Sequence, residues 1–146
     1  MEKIDPQMAA SVWQRVRGKE TPEENPGVQT LIAWEKETEG VLLWLAKRLP
    51  EKNYALQQMI GDTRRHLSCL YGIRQLSGEK AGAYTPGKLN SADPGAMLRR
   101  CYGQCLRAGA QYASRSEDGQ DGCVFGDMAR TKRRHCALIL EILGGL

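Results

Sequence analysis

Apolar side chains recur along residues 28–146 in alternating steps of three and four positions, the spacing of one face of an α-helix. Four stretches share this pattern, with one break in the first at 38 or 39, and strand-like alternation does not interrupt them. The pattern predicts an all-α protein whose four helical faces pack as an antiparallel bundle. The expected inward positions, helix by helix, are Val28, Leu31, Glu35, Leu42, Leu45 and Leu49; Leu56, Met59, Thr63, His66, Leu70 and Ile73; Leu98, Cys101, Cys105, Ala108 and Tyr112; and Phe125, Met128, Lys132, His135, Ile139 and Ile142.

Pro and Gly set the expected limits of these helices. Pro50 should end the first helix, and Gly78 suits the C-terminal cap of the second. Pro94 favours the first turn of the third helix, which Ser91 or Asp93 would cap. A long connection at 79–90 leads from the second helix to the third. The expected helices are about 28–49, 51 or 52 to 76, 94–116 and 123–143.

A separate short segment precedes the bundle. Residues 5–17 have the pattern of an amphipathic helix, and Lys19 to Gly27, which contains Pro22 and Pro26, has the composition of a linker. The chain is therefore expected to consist of an N-terminal helix and linker at 1–27 and a four-helix bundle at 28–146.

Composition narrows the class of protein. The 146 residues suit one domain, and no apolar run approaches the roughly 18 to 20 residues of a membrane span. The N-terminus is polar too early for a secretory signal, and the five cysteines are odd in number without a CxxC pair. These features predict a cytoplasmic protein with reduced thiols. The net charge of +4 is mild, so the clusters Arg64-Arg65 and Lys132-Arg133-Arg134 are interpreted as a solvated face and not as a nucleic-acid site.

A short phrase occurs twice in the chain. Residues 59–66, MIGDTRRH, return as residues 128–135, MARTKRRH, with Met, both Arg and His each 69 residues further on. The two phrases end at His66 and His135, the only histidines of the protein. Self-similarity at a fixed offset predicts a duplicated unit, here a helical hairpin, with one His at an equivalent point of each.

Polar residues interrupt the apolar faces at the middle of the bundle. Burying an ionisable side chain costs several kcal/mol unless it is paired or binds a metal. Two repeat-related histidines and a glutamate at one level therefore predict a shared polar site. The inward polar positions are Glu35, Thr63, His66, Lys132 and His135, with Cys105 at the corresponding level of the third helix.

On these residues the chain resembles the ferritin-like superfamily, on the rubrerythrin side, over about residues 28–144. The resemblance implies two hairpins joined by a long crossover. It also implies a di-iron centre held by one Glu from each of two helices and a Glu-x-x-His pair from each of the other two. Glu35, within Ala33-Trp34-Glu35, matches a single Glu, and His66 and His135 match the motif histidines.

The remaining ligand positions depart from the family pattern. Thr63 and Lys132 stand where the motif glutamates should be, three residues before each His. The second single Glu is replaced by Cys105, or by Gln104 if the repeat is matched without a gap. The missing motif carboxylates are the ones that bridge the irons in the family, where the two cations lie about 3.5–4 Å apart. We therefore expect no ordinary di-iron centre.

Two alternatives remain for the polar site. In the first, the Lys132 ammonium replaces the metal charge beside Glu35, with His66 and His135 as partners, and the chain is a metal-free binding or scaffold protein. In the second, Glu35, His66, Cys105 and His135 bind a single Zn²⁺ or Fe²⁺. The enzyme hypothesis, a rubrerythrin-like oxidase or peroxidase, would need a redox metal and an external electron donor, because no CxxC pair is present in the chain. Dimerisation through the bundle surface, common in the superfamily, and a redox role for the cysteines stay open under both.

Overall fold

The described part of the chain is a set of α-helices. The structure is a computed structural model, and it describes residues 27–79, 84–85, 87, 89, 93–117 and 121–146. Within those residues there is no strand, so the all-α prediction is confirmed. The predicted helix at 5–17, the linker up to residue 26 and Ser91 lie outside them. The described helices are α1 (Val28–Arg48), α2 (Asn53–Ser77), α3 (Pro94–Arg115) and α4 (Gly122–Gly144), with a short 3₁₀ turn at Pro50–Lys52.

The helices end close to the Pro and Gly residues that were predicted to limit them. Pro50 begins a 3₁₀ turn between α1 and α2, so α2 starts at Asn53, one or two residues later than expected. Gly78 caps α2 with a φ of 74°, a left-handed conformation that a side chain would strain. Asp93 caps α3, because its side chain accepts a hydrogen bond of 3.0 Å from the Gly95 amide.

Side-chain contacts show how α1 lies against its neighbours. Near one end of the α1–α2 pair, Arg74 donates to Gln29 at 3.0 Å, and further along α1 Arg64 pairs with Glu39 at 2.7 Å. Early residues of α1 therefore meet late residues of α2, so the two helices run in opposite directions. The other helix pairs whose backbones lie close together over several residues are α1 with α3, α3 with α4, and α2 with α4.

The core consists of a polar layer between two apolar clusters. One cluster lies towards the α1–α2 turn and the other towards the α3–α4 turn, and each takes side chains from all four helices. The predicted inward positions are buried, except that Ile73 is half-buried, and Thr38 fills the break in the α1 spacing. The buried polar residues are Glu35, Thr38, Asp62, Thr63, His66, Gln104, Gln111, Lys132 and His135.

None of the helices within the described residues combines the length and the apolar character that crossing a membrane requires.

The close approach of α3 to α4 gives a first prediction. A Cβ atom added at Gly109 would lie 3.2 Å from the Lys132 Cβ, whereas one at Gly103 would meet nothing within 4 Å. We expect Gly103→Ala to raise the free energy of unfolding by about 0.5–1 kcal/mol through helix propensity. Gly109→Ala has the same advantage in helix propensity, but the new methyl group should crowd Lys132 of α4 and cancel the gain in unfolding free energy. Urea unfolding of both variants tests this, and equal stabilisation by the two substitutions would contradict it.

Candidate functional site

Glu35 is the centre of the polar layer. Its side chain is fully buried, and both carboxylate oxygens are engaged. Lys132 Nζ donates to Oε1 at 2.5 Å, while the Tyr112 hydroxyl donates to Oε2 at 2.7 Å. His66 Nδ1 lies 2.9 Å from the same Oε2. Side chains from all four helices therefore meet at this carboxylate.

The contacts set the charge state of each group. Burial raises the pKa of Glu35, but the Lys132 ammonium and the His66 hydrogen bond outweigh it and hold that pKa at about 2. Burial opposes the charge on Lys132, yet the nearby Glu35 carboxylate brings the pKa of Lys132 above its ordinary value. Burial lowers the pKa of His66. The site is thus an ion pair whose carboxylate accepts from a neutral imidazole through its Nδ1–H and from a neutral phenol.

A second carboxylate, Asp62 of α2, organises the other half of the layer. His135 Nε2 lies 2.9 Å from Asp62 Oδ2, and Arg134 Nη2 lies 2.9 Å from the same oxygen. Arg65 Nη2 bonds to Oδ1. His135 is fully buried, whereas the two arginines are largely exposed. Asp62 therefore links a buried histidine to two repeat-related arginines at the surface.

Thr63 and Gln104, which stand at two other ligand positions suggested by the resemblance, bond to partners other than Glu35. Thr63 Oγ1 donates to the Met59 carbonyl at 2.8 Å, within its own helix. Gln104 is buried and accepts from Thr38 Oγ1 at 3.3 Å, beside an open groove between α1 and α3. Cys105 is also buried, within the apolar cluster that lies towards the α1–α2 turn.

The structure divides the predicted site residues between two groups. Glu35, His66 and Lys132 are in direct contact, as the sequence predicted for the Lys132–Glu35 pair. His135 bonds to Asp62 instead of Glu35. Across the described helices, no three or more His, Cys, Asp or Glu side chains are grouped so that they could hold a metal ion.

Two partners in the site were missed by the sequence argument. Asp62 was not singled out, and Tyr112 was assigned only to packing. A signal for Asp62 was present, because it is the only acidic residue of α2 and precedes Arg65 and His66 by three and four positions, on the same helix face. The role of the Tyr112 hydroxyl depends on the α1–α3 contact, which no local pattern encodes.

These donors do not fit a di-iron centre. Metal binding at Glu35 would require an oxygen free of Lys132, His66 and Tyr112, yet all three bond to the carboxylate. The bridging carboxylates of the family pattern are replaced by a threonine that bonds to its own helix and by the lysine itself. The cation that neutralises the Glu35 carboxylate is therefore the Lys132 ammonium group.

Breaking the buried ion pair gives a second prediction. Lys132→Met should lower the free energy of unfolding by about 3–5 kcal/mol, because it leaves the Glu35 charge buried without a cation. The double variant Glu35→Gln/Lys132→Met should regain most of that loss. The control is Arg64→Ala, which removes an exposed pair with Glu39 and should change stability by about 0–1 kcal/mol. Equal effects of Lys132→Met and Arg64→Ala in urea unfolding would contradict the prediction.

The pKa of Glu35 gives a third prediction. Its folded-state pKa of about 2 lies below the ordinary value of 4.5, so the charged form favours folding. This contribution, of order 3 kcal/mol, should be complete above pH 4.5 and should disappear as the pH falls through about 2. Between these pH values the wild type should lose stability more steeply than the Glu35→Gln/Lys132→Met variant. Parallel pH profiles of the unfolding free energy would contradict this.

Comparisons of the chain with protein-family models, with curated proteins and with solved structures gave no match. The resemblance to the ferritin-like superfamily accordingly stays a prediction from the residues.

Proposed function

We propose that this chain is a ferritin-like, rubrerythrin-like bundle that has lost the di-iron centre and acts as a metal-free binding or scaffold protein. The observation that carries the proposal is the buried Lys132–Glu35 pair, with a 2.5 Å contact between fully buried side chains. The Lys132 ammonium supplies a positive charge at Glu35, the carboxylate that the resemblance predicts as an iron ligand.

The charge balance supports this proposal. Two metal ions require several carboxylates nearby, and the described contacts bring one carboxylate, Glu35, to Lys132. Placing a metal ion beside the Lys132 ammonium would add a strong repulsion in a medium of low dielectric constant. The second carboxylate, Asp62, is engaged by Arg65, Arg134 and His135.

The arrangement of the helices supports the ferritin-like part of the proposal. The repeat-related His66 and His135 both point into the polar layer, one from the second helix of each predicted hairpin. Helix α1 contacts both α2 and α3, while α4 contacts both α2 and α3, which suits two hairpins packed side by side. The connection between the hairpins lies largely outside the described residues.

A metal-free bundle would act through its surface. Large apolar side chains such as Tyr54 and Leu76 are strongly exposed, at 78% and 88%, and the α1–α3 groove has mixed charge. These features suit association with a protein partner or with a second copy of the chain. Dimerisation, a cytoplasmic location and the absence of nucleic-acid binding stay predictions.

Metal analysis gives the fourth prediction. Freshly purified protein should contain well under one metal ion per chain, and aerobic addition of Fe²⁺ should produce no oxo-bridge absorption. Replacing both lost positions with carboxylates, in Thr63→Glu/Lys132→Glu, should create metal binding that raises the melting temperature on Fe²⁺ addition. The matched control, Thr63→Gln/Lys132→Gln, has side chains of similar size without the charge and should not respond.

The possible results separate the alternatives clearly. About two irons per chain in the unmodified protein would refute the proposal. About one zinc or iron per chain would instead favour the mononuclear site of Glu35, His66, Cys105 and His135.

A further inference from the structure

The groove between α1 and α3 has room for a small molecule. Its volume is about 310 Å³, at the lower end of the range of ligand pockets. Glu37 of α1 lines one side, and the other side is a face of α3 on which Arg100, Gly103, Gln104 and Arg107 recur at helical spacing. A Cβ atom added at Gly103 would meet nothing within 4 Å, so the α3 side of the groove is open at its middle.

The Gln104 side chain brings a buried hydrogen-bond donor to this groove. Gln104 is only 8% exposed, and its carboxamide oxygen accepts from Thr38 Oγ1 at 3.3 Å. A carboxamide also has a nitrogen with two N–H donors. Among the described residues this nitrogen has no hydrogen-bond acceptor, although the side chain lines the groove. Because a buried donor gains from a partner, the amide nitrogen is suited to bind a ligand that accepts hydrogen bonds.

Two guanidinium groups stand on either side of Gln104 along α3. Arg100 Nη2 lies 3.0 Å from Glu37 Oε1, and Arg107 Nη2 lies 3.9 Å from Glu37 Oε2. The Arg107 guanidinium also lies over the Trp34 ring, with Cζ 4.0 Å from the ring centroid. The two arginine side chains are 32% and 40% exposed, so both are held at the groove and do not extend into solvent.

We propose that this groove binds a small organic carboxylate, with Arg100 and Arg107 as the cationic groups and the Gln104 amide as a neutral donor. The planar fork of a guanidinium matches the two oxygens of a carboxylate, and both arginines already face the carboxylate of Glu37. The proposal goes beyond the proposed function, because the groove shares no residue with the hydrogen bonds to Glu35.

The charges of the groove decide which anion fits best. Its described lining residues carry two guanidinium groups and one carboxylate, Glu37. The guanidinium groups repel a cation and attract an anion, whereas the Glu37 carboxylate repels an anion in proportion to the charge of that anion. A monocarboxylate therefore meets less repulsion than a phosphate dianion, and it keeps the geometry that suits arginine.

The test is an NMR titration of the full chain labelled with ¹⁵N. The protein is dialysed against EDTA, its metal content is measured, and spectra are recorded at pH 8 with the ionic strength held constant by sodium chloride. The probes are propionate, its uncharged isostere propionamide, and inorganic phosphate, which is mainly a dianion at this pH. The side-chain amide resonances of Gln104 and the backbone amide resonance of Gly103 report on the groove.

We expect propionate to shift the Gln104 side-chain resonances saturably, and propionamide to leave them in place. Arg100→Gln and Arg107→Gln should each weaken propionate binding about tenfold, because each removes a charge-assisted hydrogen bond. Gln104→Leu, followed at the Gly103 amide, should weaken binding by about threefold, as expected for a neutral donor. The matched control is Arg99→Gln, which removes the same charge from an exposed position beside Arg100 and should change binding by less than about twofold.

Several outcomes would overturn the proposal. These are the absence of a saturable shift at Gln104, an equal response to propionamide, and equal weakening by Arg99→Gln and Arg107→Gln, which would indicate only a general effect of surface charge. Tighter binding of phosphate than of propionate would overturn the assignment to a carboxylate. If Gln104→Leu does not fold by circular dichroism, the variants of the two partly exposed arginines decide. Stoichiometric metal before dialysis would count against the metal-free function only, because the titration uses metal-depleted protein.

Discussion

The rest of the polar layer depends on the buried ion pair between Glu35 and Lys132. Two charges removed from water are stable only if each is neutralised and fully hydrogen-bonded. Lys132 neutralises the carboxylate, while His66 and Tyr112 satisfy its second oxygen. The pair therefore fixes the relative positions of all four helices, and the apolar clusters on both sides keep water from it.

The two copies of the duplicated phrase place their histidines beside different carboxylates. His66 and His135 occupy equivalent positions, yet one bonds to Glu35 of α1 and the other to Asp62 of α2. The difference begins three residues earlier, where Thr63 bonds to its own helix and Lys132 extends across the core. Because Lys132 takes one Glu35 oxygen, the site is asymmetric, and His135 has a different carboxylate as its partner.

Sequence reasoning succeeded where the signal was local. Helix ends depend on residues such as Gly78 and Asp93, and the inward faces depend on spacing, so both could be predicted within a few positions. The Lys132–Glu35 pair was predictable from charge, because a buried ammonium needs a carboxylate. Asp62 was harder to predict, since it lies one position before the inward residue Thr63 and bonds to arginines that were assigned to solvent.

The group around Glu35 and the Asp62–His135 group differ in how many of their polar atoms lack a hydrogen-bond partner. Glu35 accepts three hydrogen bonds, and a new ligand there would have to displace Lys132, at a cost of several kcal/mol for a separated buried charge. His135 Nδ1, by contrast, is buried without a hydrogen-bond partner among the described residues. The Glu35 group is therefore saturated and stabilises the bundle, whereas the Asp62–His135 group keeps one buried ring nitrogen without a partner among the described residues.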